Sequence, residues 1–166
     1  KFGDIMFLKK IPVKEWIPFI QGRFAETGKH INEDQVKKIC KITDCLSSYV
    51  QQLSWIVWYK AQDDVTDDMI TEAKEELIEQ NKVFFQRVIE SLTELQINFL
   101  VALADGVETG LTRNEVIHKY RLQTSANVQG VKKSLMTKEF IDNDGDRIFI
   151  SDPIFKLWIR KTIITR

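Results

Sequence analysis

Apolar residues recur along most of the chain at the three- and four-residue intervals of an amphipathic helix, not at the alternation of a strand. Val13, Trp16, Ile17, Ile20 and Phe24 form the first such stripe, with Pro12 in the place of a first-turn proline and Gly28 placed to end it. Pro18 falls inside this helix and is expected to kink it or delay its start. Asn32 and Gln35 have the spacing of a capping box ahead of Val36, Ile39 and Cys40. A third helix from about Leu46 places Tyr49, Val50, Leu53, Ile56 and Val57 on one side, and Trp55 and Trp58 widen that face. Aromatics of this size each bury roughly 150–250 Å², so this helix is expected to be central. Polar Gln62-Asp63-Asp64 breaks the pattern, and Thr66 or Asp67 then caps a long helix. No Gly or Pro interrupts it from Val65 to Leu92, so it is expected to run to about Glu90 with Met69, Ile70, Ala73, Leu77, Phe84 and Val88 inward. Ahead of all this, Phe2 to Ile11 reads as a short strand or extended connector.

The pattern shortens after Glu90-Ser91-Leu92-Thr93, which marks a domain boundary. Thr93 and Gln96 form a second capping box, leading into Ile97, Phe99, Leu100 and Leu103 and stopping at Asp105-Gly106. Thr112 and Glu115 repeat the signal before Val116, Ile117 and Tyr120. Thr124 or Ser125 caps a further helix with Val128, Val131 and Leu135 inward. Phe140-Ile141 and Ile148-Phe149-Ile150 then read as strands joined by the turn sequence Asp142-Asn143-Asp144-Gly145-Asp146. Three short helices followed by a hairpin predict a winged helix. The fold class expected is mainly α: a helical bundle over residues 1–90, then a winged-helix domain (helix-turn-helix plus β-wing) over residues 91–166.

Composition adds little to this and excludes a good deal. An apolar share of 43% with 10% aromatics suffices for packed cores. The net charge is zero, divided as 13 Lys/Arg against 15 Asp/Glu over residues 1–90 and 11 against 9 over residues 91–166. That is a faint polarity, far from a surface saturated for nucleic acid. Cys40 and Cys45, five apart on one helix, would point to different faces, so no disulfide is expected between them. Such sparse cysteine usage fits a reducing cytoplasm. No apolar run approaches the roughly 18–20 residues of a membrane span, and no signal peptide opens the chain. The chain lacks an initiator Met and opens on Phe2-Gly3-Asp4-Ile5-Met6-Phe7-Leu8, as the interior of a longer polypeptide would.

Candidate chemistry is sparse. A phosphate-binding loop needs a Gly-rich turn followed by Lys and Ser/Thr, and Gly106 and Gly110 are followed by no Lys. His30, His118, Cys40 and Cys45 have no metal-ligand spacing. Asp142–Asp146 lacks the placement of a calcium loop, whose closing Glu would fall at Pro153. Asp63, Asp64, Asp67 and Asp68 suit the positive end of a helix. No catalytic constellation is present for a freestanding enzyme. A candidate contact surface does exist. With Val128, Val131 and Leu135 inward, Ser125, Asn127, Gln129, Lys132 and Lys133 face out of the recognition helix, and Asn and Gln can read adenine edges while Lys suits phosphate. Arg113, Lys119, Arg121 and Lys138 add charge nearby. Against DNA stand three wing aspartates and Glu139, opposed only by Arg147. A protein-facing or intramolecular wing is therefore favoured over a DNA-binding regulator with a helical dimerisation domain.

Several segments together resemble the C-terminal part of prokaryotic, archaeal-type ATPases of the AAA+ superfamily, relatives of the STAND and Orc-like ATPases. Phe7-Leu8-Lys9-Lys10-Ile11-Pro12-Val13-Lys14-Glu15-Trp16 is similar to the start of that family's helical lid, and Thr43 to Gln51 follows it. Leu92-Thr93-Glu94-Leu95-Gln96 resembles the opening of its winged helix, and Asp152-Pro153-Ile154-Phe155 with Trp158 its closing motif. The resemblance covers nearly the whole chain. It implies a lid-like bundle, with ATP and Mg²⁺ bound by an N-terminal core outside this chain and no cofactor in the chain itself. It implies a protein or DNA partner met through the winged helix. The aromatic-rich faces of the bundle could equally bury Trp16, Trp55 or Trp58 against that core. Without the core, such a face could drive homodimers. One departure stands out: Cys45-Leu46-Ser47 occupies the place of the family's Gly-His-Pro-like turn, which argues against direct nucleotide contact by this lid.

Overall fold

The computed structural model describes residues 10–164, and the extended segment expected from Phe2 lies outside them except for Lys10 and Ile11. The chain divides into two compact units, Lys1–Leu77 and Ile78–Arg166. In the first, α1 (Val13–Ala25) buries Trp16, Ile20 and Phe24 and packs on α2 (Glu33–Ile42), which packs in turn on α3 (Ser47–Lys60). Pro18 neither delays α1 nor divides it. Gly28, at a φ of +74°, closes the turn after it, and the Lys29 N–H reaches back to the Phe24 carbonyl at 3.0 Å. The Asn32/Gln35 capping box forms with both bonds at 2.9 Å. The Gln35 side-chain amide also donates to the Val65 carbonyl at 2.7 Å, tying α2 to the chain beyond α3.

Helix α3 departs from expectation. Val50, Leu53, Ile56 and Val57 are buried as the spacing predicts, but Trp55 is 58% and Tyr59 72% exposed. Four apolar residues already fill the inward arc of a helix, and the additional aromatics widen it past what α1 and α2 cover.

The boundary between units falls inside α4 (Asp67–Glu90), not at the turn near residue 90. Thr66 caps α4, its hydroxyl accepting from the Met69 N–H at 3.3 Å. Ile70, Ala73 and Leu77 face inward as expected, but Phe84 is 62% exposed and Phe85 takes the buried place at 1%. Ile78, beside Leu77, is buried too, and two helical turns from Ile78 arrive at Phe85. Phe85 meets Phe155 and Trp158 with ring centroids 5.1 and 5.9 Å away, so the end of α4 belongs to the core of the second unit.

In that unit α5 (Glu94–Ala104), capped by Thr93 and Gln96, is central. It touches α7 (Ser125–Thr137), the hairpin and α8 (Pro153–Ile159). The short α6 (Asn114–Lys119) starts after Arg113 without a side-chain cap, so the expected Thr112/Glu115 box does not form. Gly110, at φ +65°, and the turn after it consume the residues where that cap would lie. Strands β1 (Ile141–Asp144) and β2 (Arg147–Ile150) pair antiparallel, Ile141 with Ile150 and Asp144 with Arg147. The hairpin is tighter than the sequence suggests, with Gly145 at φ +59° in a two-residue turn and three of the turn's expected residues absorbed into β1. Asp152 caps α8, its carboxylate accepting from Ile154 and Phe155, and a π-helical turn, Arg160–Ile164, follows.

Candidate interaction surfaces

Helix α7 is placed by its cap and its buried face. The Thr124 hydroxyl accepts from the Asn127 N–H at 3.2 Å, and Val128, Val131 and Leu135 are buried. The outward side chains differ in how free they are. The Asn127 amide donates to Gln123 Oε1 at 2.7 Å, and the Ser125 hydroxyl points to the Thr112 carbonyl at 3.5 Å. Gln129 and Lys132 line a polar hollow of about 320 Å³ with Thr109, Gly110, Thr112 and Asp146. Lys133 and Arg121 are exposed, Arg121 at φ +54° in the turn before α7. A Cβ at Gly110 would sit 2.6 Å from Nε of the exposed Arg113 side chain, which can swing aside; it is the φ of +65° that favours glycine there.

Arg147 is the candidate that behaves differently. Its Nε donates to Glu108, while the guanidinium carbon lies 5.8 Å from the centre of the Phe149 ring. Lys156 reaches the other Glu108 oxygen at 3.0 Å, and the Ile148 N–H donates to the Glu108 carbonyl at 2.8 Å. Glu108 thus fastens the loop after α5 to the wing and to α8, a role with no local sequence signature. The Arg147 hydrogen bond holds its carboxyl below the ordinary glutamate value; burial opposes this and Lys156 adds to it. A lowered native pKa contributes stability that is complete above the unfolded value near 4.5 and is lost as the pH falls through the native one. Glu108→Gln is expected to cost roughly 1–2 kcal/mol at neutral pH and much less in acid. Urea denaturation at neutral and acidic pH checks this; a penalty that persists in acid would contradict it.

A second polar cluster sits where α5 ends. Asp105 accepts from the Tyr120 hydroxyl and from Lys119 Nζ, the latter at 3.0 Å. The Tyr120 bond is the larger cause of a lowered Asp105 pKa, and burial, ahead of Asp105, raises that of the phenol.

On the first unit, α1 and α3 enclose a groove of about 370 Å³ lined by Trp16, Phe19, Ile20, Arg23, Phe24, Thr27, Val50, Gln51, Ser54, Trp55 and Trp58. Lys29 sits 4.2 Å over the Trp58 ring and donates to the Trp58 and Ala61 carbonyls, both at 2.7 Å. The Trp58 indole donates to the Thr27 hydroxyl at 2.8 Å. Trp16 Nε1 and Ser54 Oγ, by contrast, are buried without a hydrogen-bond partner among the described residues. An unpaired buried polar group costs about 1–3 kcal/mol, so this wall is not relaxed packing.

The cysteines correct an expectation. Helix α2 ends at Ile42, and Asp44 and Cys45 turn through φ +48° and +54°. Cys45 is thereby off the helix and folded back, its N–H on the Cys40 carbonyl at 2.9 Å and its thiol within hydrogen-bonding reach of Cys40. Burial first, and then Cys45, pushes the Cys40 thiol up to about 12, and both cysteines are free. The turn keeps the left-handed geometry that glycine favours although no glycine is present. Among the described residues no group of three or more His, Cys, Asp or Glu is placed to hold a metal ion, and no helix is long and apolar enough to cross a membrane.

Helices α5, α6 and α7 with the β1–β2 hairpin reproduce the order the sequence predicts, and residues 83–161 match the family model described as "Probable winged helix domain". This region is a winged helix. The fold extends further: 89% of the chain superposes on a Walker-type ATPase of Pyrococcus abyssi with a TM-score of 0.71 at 15% identity. The chain spans 41% of that protein's length. No curated protein sequence matches. In the winged helix, α7 stands where the sequence expects the recognition helix, and it carries Ser125, Asn127, Gln129, Lys132 and Lys133. Arg113 and Arg121 flank it from the start of α6 and the turn before α7, while Arg147, next to the wing's turn, is held by Glu108.

Proposed function

We propose that this chain is the regulatory and interaction module of a Walker-type, AAA+-like ATPase. It couples the nucleotide state of a core outside the chain to a partner met by the winged helix. The observation that carries this reading is the shared fold: a helical unit and a winged helix together match an ATPase of which the chain spans only 41%. ATP and Mg²⁺ would belong to the remainder, since this sequence has no Gly-rich loop with a following Lys. The sparse thiols suit the cytoplasm.

For the partner, a protein is favoured. The exposed Asp142, Asp144 and Asp146 of the wing repel phosphate, and the wing's arginine is already held by Glu108. One observation supports DNA as a second reading: Lys132 and Lys133 on α7 enter no ion pair with any described residue. Three observations test these readings together. ATP turnover by the intact polypeptide, unlike that of residues 1–166 alone, is expected to be present and to change with Lys132→Glu/Lys133→Glu. A reading frame without a phosphate-binding loop ahead of Lys1 overturns the module. Anisotropy with duplex DNA is expected to show weak binding that fades with salt. Tight binding that the same double variant abolishes would instead establish the DNA-binding regulator.

A further inference from the structure

We propose that a second copy of this chain docks on the α1/α3 face, pairing about a two-fold axis near Trp55. The Trp55–Tyr59 step of each copy then seats in the groove of the other. The inference concerns the first unit alone and does not rest on the ATPase reading; it assigns this face to a second copy and not to an ATPase core.

Hollow and protrusion share one face. Trp55 lines the groove, and Tyr59 stacks on it one turn along α3, ring centroids 5.7 Å apart at 20°. In a two-fold contact each patch meets its own copy, so it must carry both the knob and the hole. Symmetry also sets like against like near the axis, and a charged face repels itself. From Ser47 to Tyr59, α3 holds no Asp, Glu, Lys or Arg. The one charged residue lining the groove, Arg23, is paired with Glu26 at 3.0 Å.

The area suits a weak pair. Phe19, Trp55 and Tyr59 are 50%, 58% and 72% exposed. At roughly 150–250 Å² for each aromatic, these exposures amount to an apolar area on the order of 300–400 Å². Interfaces are about 60% apolar, so this corresponds to roughly 600 Å² per copy, somewhat below the roughly 800 Å² of a standard interface. A reversible dimer is expected, not an obligate one.

Sedimentation of the chain over a wide concentration range tests the proposal. The parent is expected to pass from monomer to dimer. Trp55→Glu and Trp55→Lys, at an exposed mid-helix site, are each expected to weaken association at least tenfold. Mixed one to one they should associate more strongly than either alone, because the opposed charges then attract across the axis. A misfolded variant would not recover in this way. Phe84→Glu, which removes a similarly exposed aromatic from the second unit, should leave association unchanged. A parent that stays monomeric throughout, variants that still dimerise, or a mixture that shows no recovery would each overturn the proposal.

Discussion

Replacing Phe85 by Ala is expected to destabilise the second unit by about 3–5 kcal/mol, the range for truncating a buried aromatic. The same change one residue earlier, at Phe84, should cost under about 1 kcal/mol. The two residues are neighbours of identical chemistry, so the contrast isolates burial. Phe85 is 1% exposed and lies against Phe155 and Trp158, which are themselves stacked 6.1 Å apart. Removing its ring leaves a void between two large side chains that cannot close without moving α8. Phe84 is 62% exposed, its ring centroid 5.8 Å from that of Phe85 at a tilt of 56°. With a urea dependence of about 1–3 kcal/mol per molar, the Phe85 variant should shift the unfolding midpoint by more than about 1 M and the Phe84 variant by a fraction of that. Equal shifts would mean that the two rings have been assigned to the wrong faces of α4.

The second large effect is expected at Trp16. Trp16→Ala should cost about 3–5 kcal/mol, since the indole is 3% exposed beneath the α1/α3 groove. Trp16→Phe should cost far less than a buried Trp truncation ordinarily would. The indole N–H it removes has no acceptor, so the change relieves an unsatisfied donor while keeping most of the ring volume. Thermal and urea unfolding of both variants check this. If Phe proves as damaging as Ala, the N–H has a partner in solution.

Much of this architecture was legible in the sequence because it rests on local chemistry. The Asn32/Gln35 and Thr93/Gln96 boxes and the Thr124 cap each satisfy backbone donors within one turn, and each forms as its spacing predicts. What escaped was decided by distant partners. Phe84 and Phe85 are equivalent to a helical repeat until Phe155 and Trp158, seventy residues on, select one of them. Trp55 looks like core by type, and only the extent of α1 and α2 leaves it outside. Glu108 gives no sign in its own segment that it will gather Arg147 and Lys156. Arg147, read as a free wing cation, is for that reason already engaged. Of the contact surface, the sequence conveys which residues α7 turns outward but not that Asn127 spends its amide on Gln123.

The placement of Phe85 bears on how the polypeptide can be divided. A cut at residue 90, where composition invites one, would separate the winged helix from an aromatic of its own core and leave Phe155 and Trp158 facing water. The natural place to divide lies a full three turns earlier, near Ile78, inside a helix that shows no break at all. Proteolysis, which needs locally unfolded chain, would find no foothold there, so the two units are best separated by recloning and not by digestion.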